Sequence, residues 1–302
     1  MPADVGSENM KPARPGGAVG AIVVATVIWG GTFVVIRDSL HHVRPVSLVF
    51  ARFLAATALF ALVLLARRRV PDREAVRGGA LSGLLAAAGF VFQAYGLQRT
   101  SAGTSAFLTS TGSLLAGFFA WPILGQRPGA LLAAALGLAA FGSALLAGPQ
   151  PLHLGPGEAW TLLGAVAWAL QIVAIARFAP RADPLAMTAV QAATIAVVLS
   201  PLAMREPLAE AVRDPALFPR LAYLIVGGST IAPLLQVMAQ RTLSAGRTGL
   251  LLGLEPVFAL LFALTVGEER FAPRWWLGAA LILVAVWVVE WHAARGRPSR
   301  PL

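Results

Sequence analysis

Among the chain's 14 acidic side chains, Glu255 alone lies well inside a long apolar run, GLLLGLEPVFALLFAL. A carboxyl in such a run is expensive to bury and by default marks a permeation pathway or a proton relay. Pro256 follows it and has no N–H to offer the carbonyl of Leu252, so the helix carrying Glu255 is open on one side of the acid. The bland alternative is a Glu held neutral, or paired with Arg52, for packing alone. Arg52 is the only basic residue deep in an apolar run. It could anchor an anionic group such as a carboxylate, or brace a backbone carbonyl or Glu255. The structural role is the better reading, because an unpaired Arg facing lipid is intolerable.

Trp29 and Thr32 share one helix face at i, i+3, and Trp168 and Gln171 repeat the arrangement. A Trp with a hydrogen-bonding neighbour from each half could wall a cavity, or the Trp could anchor at the membrane surface. Gln93 and Gln236 are placed alike in two similar stretches and could bind substrate or join helices. Ser105, Thr109 and Ser113 run up one helix face and read as small packing residues. Trp275, Trp276, Trp287 and Trp291 read as interfacial belts. With no Cys there is no thiol chemistry, and His41, His42, His153 and His292 show no metal-ligand spacing. No cofactor is expected. No phosphate-binding GxxxxGK[ST] loop occurs, so any energy for transport must come from gradients.

These residues sit in a chain of 302 that is 57% hydrophobic and 13% charged, with mean hydropathy +0.73. A soluble domain carries about 25% charged residues, so this chain is expected to be an all-α polytopic membrane protein. Its partners are then the lipid bilayer and a small molecule. The net charge of +10 is read as loops obeying the positive-inside rule and not as a nucleic-acid surface. Ten spans of near 20 residues, the length a bilayer core requires, are predicted. The first five are Ala18–Arg37, Val46–Ala66, Gly78–Leu97, Ala102–Leu124 and Ala130–Ala147. The second five are Glu158–Arg177, Leu185–Met204, Leu221–Gln240, Ala245–Gly267 and Trp275–His292. The runs are continuous and not alternating, against a β-barrel. Residues 1–17 and 293–302 read as polar tails, and the first apolar run as a retained span, not a cleaved signal. With the N-terminus inside, 15 Lys and Arg fall in inner segments and 8 in outer ones, the cluster Arg67, Arg68, Arg69, Arg73 and Arg77 deciding the matter. Both termini are therefore predicted cytoplasmic, in a cell-membrane protein.

The chain repeats itself. Gln93 with Ser101-Ala102-Gly103 recurs 143 residues on as Gln236 with Ser244-Ala245-Gly246. Trp29 and Pro45 recur 139 residues on as Trp168 and Pro184. Five spans per half is an odd number, so the second half enters the membrane from the opposite side. That is the inverted repeat of secondary transporters, which bind substrate near the midplane between repeats. The expected units are a first repeat at 18–147, a Pro- and Gly-rich connection at 148–157 and a second repeat at 158–292.

The residues Trp29-Gly30-Gly31-Thr32-Phe33, Ala51-Arg52-Phe53, Thr100-Ser101-Ala102-Gly103, Glu255-Pro256 and Gly267-Glu268 resemble, in order and spacing, the drug/metabolite transporter superfamily, in its EamA-type branch. The resemblance covers Ala18–His292. It implies two five-helix repeats and movement of small organic molecules, often export of amino acids or related metabolites. Ser113 stands where the family has Pro, and Gly125-Gln126 where it has Gly-Glu, so an acid-dependent step would belong to the second half. The preferred expectation is a secondary transporter, not an enzyme, whose site draws on Glu255, Trp29, Thr32, Gln93, Trp168, Gln171, Gln236 and Arg52. A transport-inactive scaffold or sensor and a membrane-embedded lipid enzyme are the alternatives. Substrate, coupling ion, direction and oligomeric state are not legible.

Overall fold

A computed structural model describes residues 15–147, 155–205, 217–265 and 272–295. Among them the chain is an all-α membrane protein of ten helices: α1 (Pro15–Ser39), α2 (Pro45–Ala66), α3 (Arg73–Leu97), α4 (Ala102–Leu124), α5 (Ala130–Ala147), α6 (Pro156–Phe178), α7 (Pro184–Ala203), α8 (Phe218–Gln240), α9 (Ala245–Thr265) and α10 (Arg274–Arg295). Residues 1–14 and 296–302 of the predicted polar tails, most of the connection at 148–157, and Gly267-Glu268 lie outside the described residues, while residues 15–17 begin α1 and residues 293–295 end α10.

Helix ends follow local capping more than hydropathy. Asp72 accepts from the backbone N–H of Ala75 at 2.7 Å, which starts α3 at Arg73 instead of Gly78 as predicted. Asp183 caps α7 in the same way, accepting from Ala186 at 2.9 Å. The repeated Ser-Ala-Gly is a helix start in both copies. Ser101 accepts from the N–H of Thr104 and Ser244 from that of Arg247, satisfying donors that the first turn leaves open.

Two helices depart from regular winding, and both lie in the second half. In α8, residues Tyr223–Ile231 form a π-helix between α-helical ends, and within it the Thr230 side-chain hydroxyl donates to the carbonyl of Ile225. Gly227-Gly228 weakens the local helix and Pro233 withholds one N–H, two recognised causes of such a bulge. α9 breaks at Gly253-Leu254, and a new helix begins at Glu255, as Pro256 requires. Its counterpart α4 has Ser113 in place of that Pro and runs unbroken.

The most extensive packing is between the halves and not within them: α3 and α4 on α6, α3 and α2 on α7, and α5 on α10. Neither half packs as a bundle of its own. Close approach is made possible by glycine. A Cβ at Gly79 would lie 2.6 Å from the carbonyl oxygen of Met187, and one at Gly83 2.7 Å from that of Gln191. Without a hydrophobic force between helices in lipid, such backbone-level packing carries their association. Ion pairs join the halves at the two ends of α2. Arg220 pairs with Asp38 at 2.6 Å before α2 begins, and Arg69 with Asp183 at 2.5 Å after it ends. Both are partly exposed and worth at most about 1 kcal/mol each.

One expectation about the tryptophans is corrected. Trp276, Trp287 and Trp291 are exposed, but Trp275 is buried among Leu146, Leu254, Leu260 and Ile282. It begins α10 on the face that packs against α5 and α9, while Trp276, one position on, points outward. A tryptophan's distance from a helix end tells its depth in the membrane but not its facing.

Candidate functional site

Seven of the eight predicted residues line one central cavity: Trp29, Thr32, Gln93, Trp168, Gln171, Gln236 and Glu255. They come from α1, α3, α6, α8 and α9, so both halves supply walls. Phe90, Thr109, Ser113, Ile172 and Leu252 complete the lining. The cavity is narrow, about 40 Å3 in volume. Pockets that enclose a small organic ligand have roughly 300–1,000 Å3, so this one must widen to take such a molecule. A more open cleft of about 860 Å3 lies where α1 ends beside the α3–α4 turn, among Arg37, His41, Arg99 and Ser101, and holds none of the eight residues.

Glu255 is the first residue of the second part of α9 and is 7% exposed. Among the described residues nothing hydrogen-bonds or ion-pairs with it. The backbone N–H groups at a helix start give this end a partial positive charge, so the acid sits at a polar point of an otherwise apolar helix. Gln171 and Gln236 exchange amide hydrogen bonds at 3.2 and 3.3 Å. Gln240, one turn further along α8, donates to the carbonyl of Ile172 at 2.9 Å. Trp168 lies against the backbone of α3, where a Cβ on Gly89 would come within 2.8 Å of the indole. Its ring meets Phe90 edge-on, centroids 4.5 Å apart. The indole N–H of Trp168 and the hydroxyl of Thr109 are buried without protein partners. The cavity thus offers one carboxylate, two indoles, three amides and unused donors.

The first half's aromatic is held differently. Trp29 donates its indole N–H to the carbonyl of Gly228 at 3.0 Å, and the Thr32 hydroxyl donates to the carbonyl of Trp29. The Tyr223 hydroxyl donates to the carbonyl of Ile28. The π-helical segment of α8 is therefore strapped to α1 from both directions.

Arg52 is not among the lining residues, and it does not pair with Glu255. It is 1% exposed, donates from Nε to the Ser229 hydroxyl at 2.7 Å, and stacks over Phe90 and Phe53 with centroids 5.0 and 5.5 Å from Cζ. Nη2 has no hydrogen-bond partner, and a Cβ on Gly228 would lie 2.9 Å from it. Phe90 thus has Arg52 against its ring and the cavity on its exposed side. Of the lining residues that reading the sequence missed, Phe90, Ile172 and Leu252, Phe90 is the one that also touches Arg52. Its i, i+3 spacing to Gln93 was the available signal, obscured by the many Phe that face lipid. Thr109 and Ser113, read as packing residues, also reach the cavity.

Magnitudes predict how Arg52 behaves. Methionine at this position gives up cation–π contacts worth about 1–2 kcal/mol each when desolvated. It also gives up a charged hydrogen bond worth about 1.5–3 kcal/mol. Against these it removes a burial penalty of roughly several kcal/mol. Arg52→Met is expected to melt within about 5 °C of wild type in a detergent thermal-unfolding assay. A much lower melting temperature would mean the guanidinium is net stabilising and its role purely structural.

Comparison with known proteins agrees with this architecture. The sequence model of the EamA-like transporter family matches residues 17–148 and again residues 155–291. An uncharacterized transporter of Archaeoglobus fulgidus is 28% identical over 287 residues, covering 94% of this chain and 88% of that protein. The uncharacterized inner membrane transporter YedA of Escherichia coli is 29% identical over 281 residues, covering 89% of each. A crystal structure 21% identical in sequence superposes with a TM-score of 0.75 over 92% of this chain and 99% of its own, which shows the shared fold. With the family's pattern present twice and spanning nearly all of both halves, the chain belongs to the EamA-like transporter family.

Proposed function

We propose that this chain is a gradient-driven secondary transporter that moves a small organic metabolite, an amino acid or related compound, across the cell membrane by alternating access. The observation that carries this reading is Glu255, a carboxylate without a protein partner at the break of α9, facing a cavity walled by both halves. Glu255 takes the substrate's ammonium or a proton, the indoles of Trp29 and Trp168 hold its apolar body, and the three Gln orient its polar groups. Arg52 acts as a positioning residue, bracing the π-helical segment of α8 and the back of Phe90.

Alternating access requires one packed group of helices to rock against another, and because the halves interlock each group draws on both. Joining the halves are two weak ion pairs at opposite ends of α2, and a pair worth so little can break in each half-cycle. On the same reading both chain ends are cytoplasmic.

The test is flux in proteoliposomes loaded with a panel of amino acids and amines under imposed proton and substrate gradients. At least one compound is expected to move in a saturable, gradient-dependent way. The chain contains no Cys, so single cysteines introduced at Arg68 and at His42 report the two faces in the same vesicles. No flux across the whole panel, with correctly inserted protein, would sink the transporter reading in favour of a scaffold.

A further inference from the structure

The turn that ends α2 is built from a residue that suits it badly. Arg68 has φ 49°, the only non-glycine residue in the left-handed region among the described residues. The N–H of Arg68 donates to the carbonyl of Leu65, and that of Arg69 to the carbonyl of Leu64, at 3.0 and 2.9 Å. This pair of bonds is the Schellman closure, whose left-handed position ordinarily takes glycine because a Cβ is strained there. The chain follows that rule at the end of α4, where Gly125 has φ 71°. At the end of α2 it keeps Arg and bears the strain.

Nothing inside the protein repays it. Arg68 is exposed and makes no ion pair or hydrogen bond from its side chain among the described residues. It stands in a cluster. Residues 67–77 and the neighbouring turn 177–183 contain seven Arg against three acids. Two of those acids are already engaged as helix caps, and one of them, Asp183, also binds Arg69, fixing the two segments side by side. Arg67, Arg73, Arg77, Arg177 and Arg181 are exposed. Flanking Arg68 are two apolar side chains that none of the described residues covers, Leu65 at 74% and Val70 at 87% exposure.

Guanidinium groups bind phosphate through paired hydrogen bonds, and exposed Leu and Val beside them at a helix end fit the acyl region just below a headgroup. A free anion would use the first feature but not the second. We propose that the end of α2 is a binding surface for an anionic phospholipid. Arg67, Arg68 and Arg73 meet the headgroup phosphate, and Leu65 and Val70 lie against its acyl chains. A sequence-level rule for basic loops accounts for the sign of the cluster but not for an Arg placed where glycine folds better. The proposal does not depend on what the chain transports.

The experiment measures the melting temperature of the full purified chain in neutral detergent, with added phosphatidylglycerol, phosphatidylcholine of the same acyl chains, or inorganic phosphate. Phosphatidylglycerol is expected to raise it by about 4 °C or more, and the other two to leave it nearly unchanged. Arg68→Gly is the sharper arm, because the two effects have opposite signs. It should melt higher than wild type without lipid, the strain being relieved, yet lose at least half of the phosphatidylglycerol shift. Arg67→Gln with Arg73→Gln should lose shift without that gain. Equal shifts from the two lipids, a full shift retained by Arg68→Gly, or a shift reproduced by inorganic phosphate would each overturn the proposal.

Discussion

Glu255→Gln is expected to leave the fold intact and lower the rate of gradient-driven transport by about 100-fold. The substitution keeps the shape of the side chain and removes its charge and its capacity to hold a proton. Stability should hold, because among the described residues no hydrogen bond or ion pair depends on the carboxylate, and a neutral amide is easier to bury than an ionised acid. Transport should not hold. A charged contact to an ammonium among buried side chains contributes up to about 3 kcal/mol, and about 1.4 kcal/mol is a factor of ten. If the acid instead carries a proton, its loss uncouples flux from the proton gradient while exchange of substrate for substrate survives. Measuring net and exchange flux in the same vesicles separates the two roles. Transport equal to wild type at every pH would remove Glu255 from the mechanism, and failure to fold would make it a structural acid.

The architecture was legible because a bilayer admits few solutions. Twenty apolar residues at a time can only be helices, and every predicted span has a helix overlapping it, with ends shifted by caps such as Asp72. The cavity was legible for a different reason. Trp29 and Trp168, or Gln93 and Gln236, are too polar or too large to be spent on lipid at mid-span, and duplication marked them twice. What stayed hidden depended on side-chain direction. Arg52 lies within one phenyl ring of the cavity and still points away from it, towards Ser229 in the π-helical segment of α8. No propensity at Tyr223–Ile231 announces a π-helix: Gly227-Gly228 and Pro233 are common in membrane helices. Trp275 and Trp276 make the same point, since adjacent positions on one helix face opposite environments. Depth in the membrane is read from sequence far more easily than azimuth.

Azimuth also governs the other large effect, at a residue that composition made invisible. Gly112→Leu is expected to abolish folding. α4 crosses α6 so closely there that a Cβ on Gly112 would overlap the carbonyl oxygen of Ala165 and lie 2.6 Å from its carbonyl carbon and 2.7 Å from its Cα. The obstruction is backbone, so no rotamer change relieves it. Only a shift of α6 would, and α6 is also packed against the glycine-lined face of α3 and carries Trp168 and Gln171, three and six residues further on. One residue further along α4, Gly249 makes a similar approach to the carbonyl of Ser113, so a second backbone contact hems α4 in. Overpacking ordinarily costs about 1–3 kcal/mol. With both neighbours fixed, Gly112→Ala should cost about 4 kcal/mol, the range in which single substitutions become disabling. Gly137, whose Cβ would meet nothing within 4 Å, supplies the contrast. Gly137→Ala should be neutral or stabilise by up to about 1 kcal/mol, since the helix loses a flexible residue. Size-exclusion profiles and melting curves in detergent read all three variants. If Gly112→Ala melts with wild type, the crossing is looser than its geometry, and the wall that holds Trp168 in the cavity is free to move independently of α4.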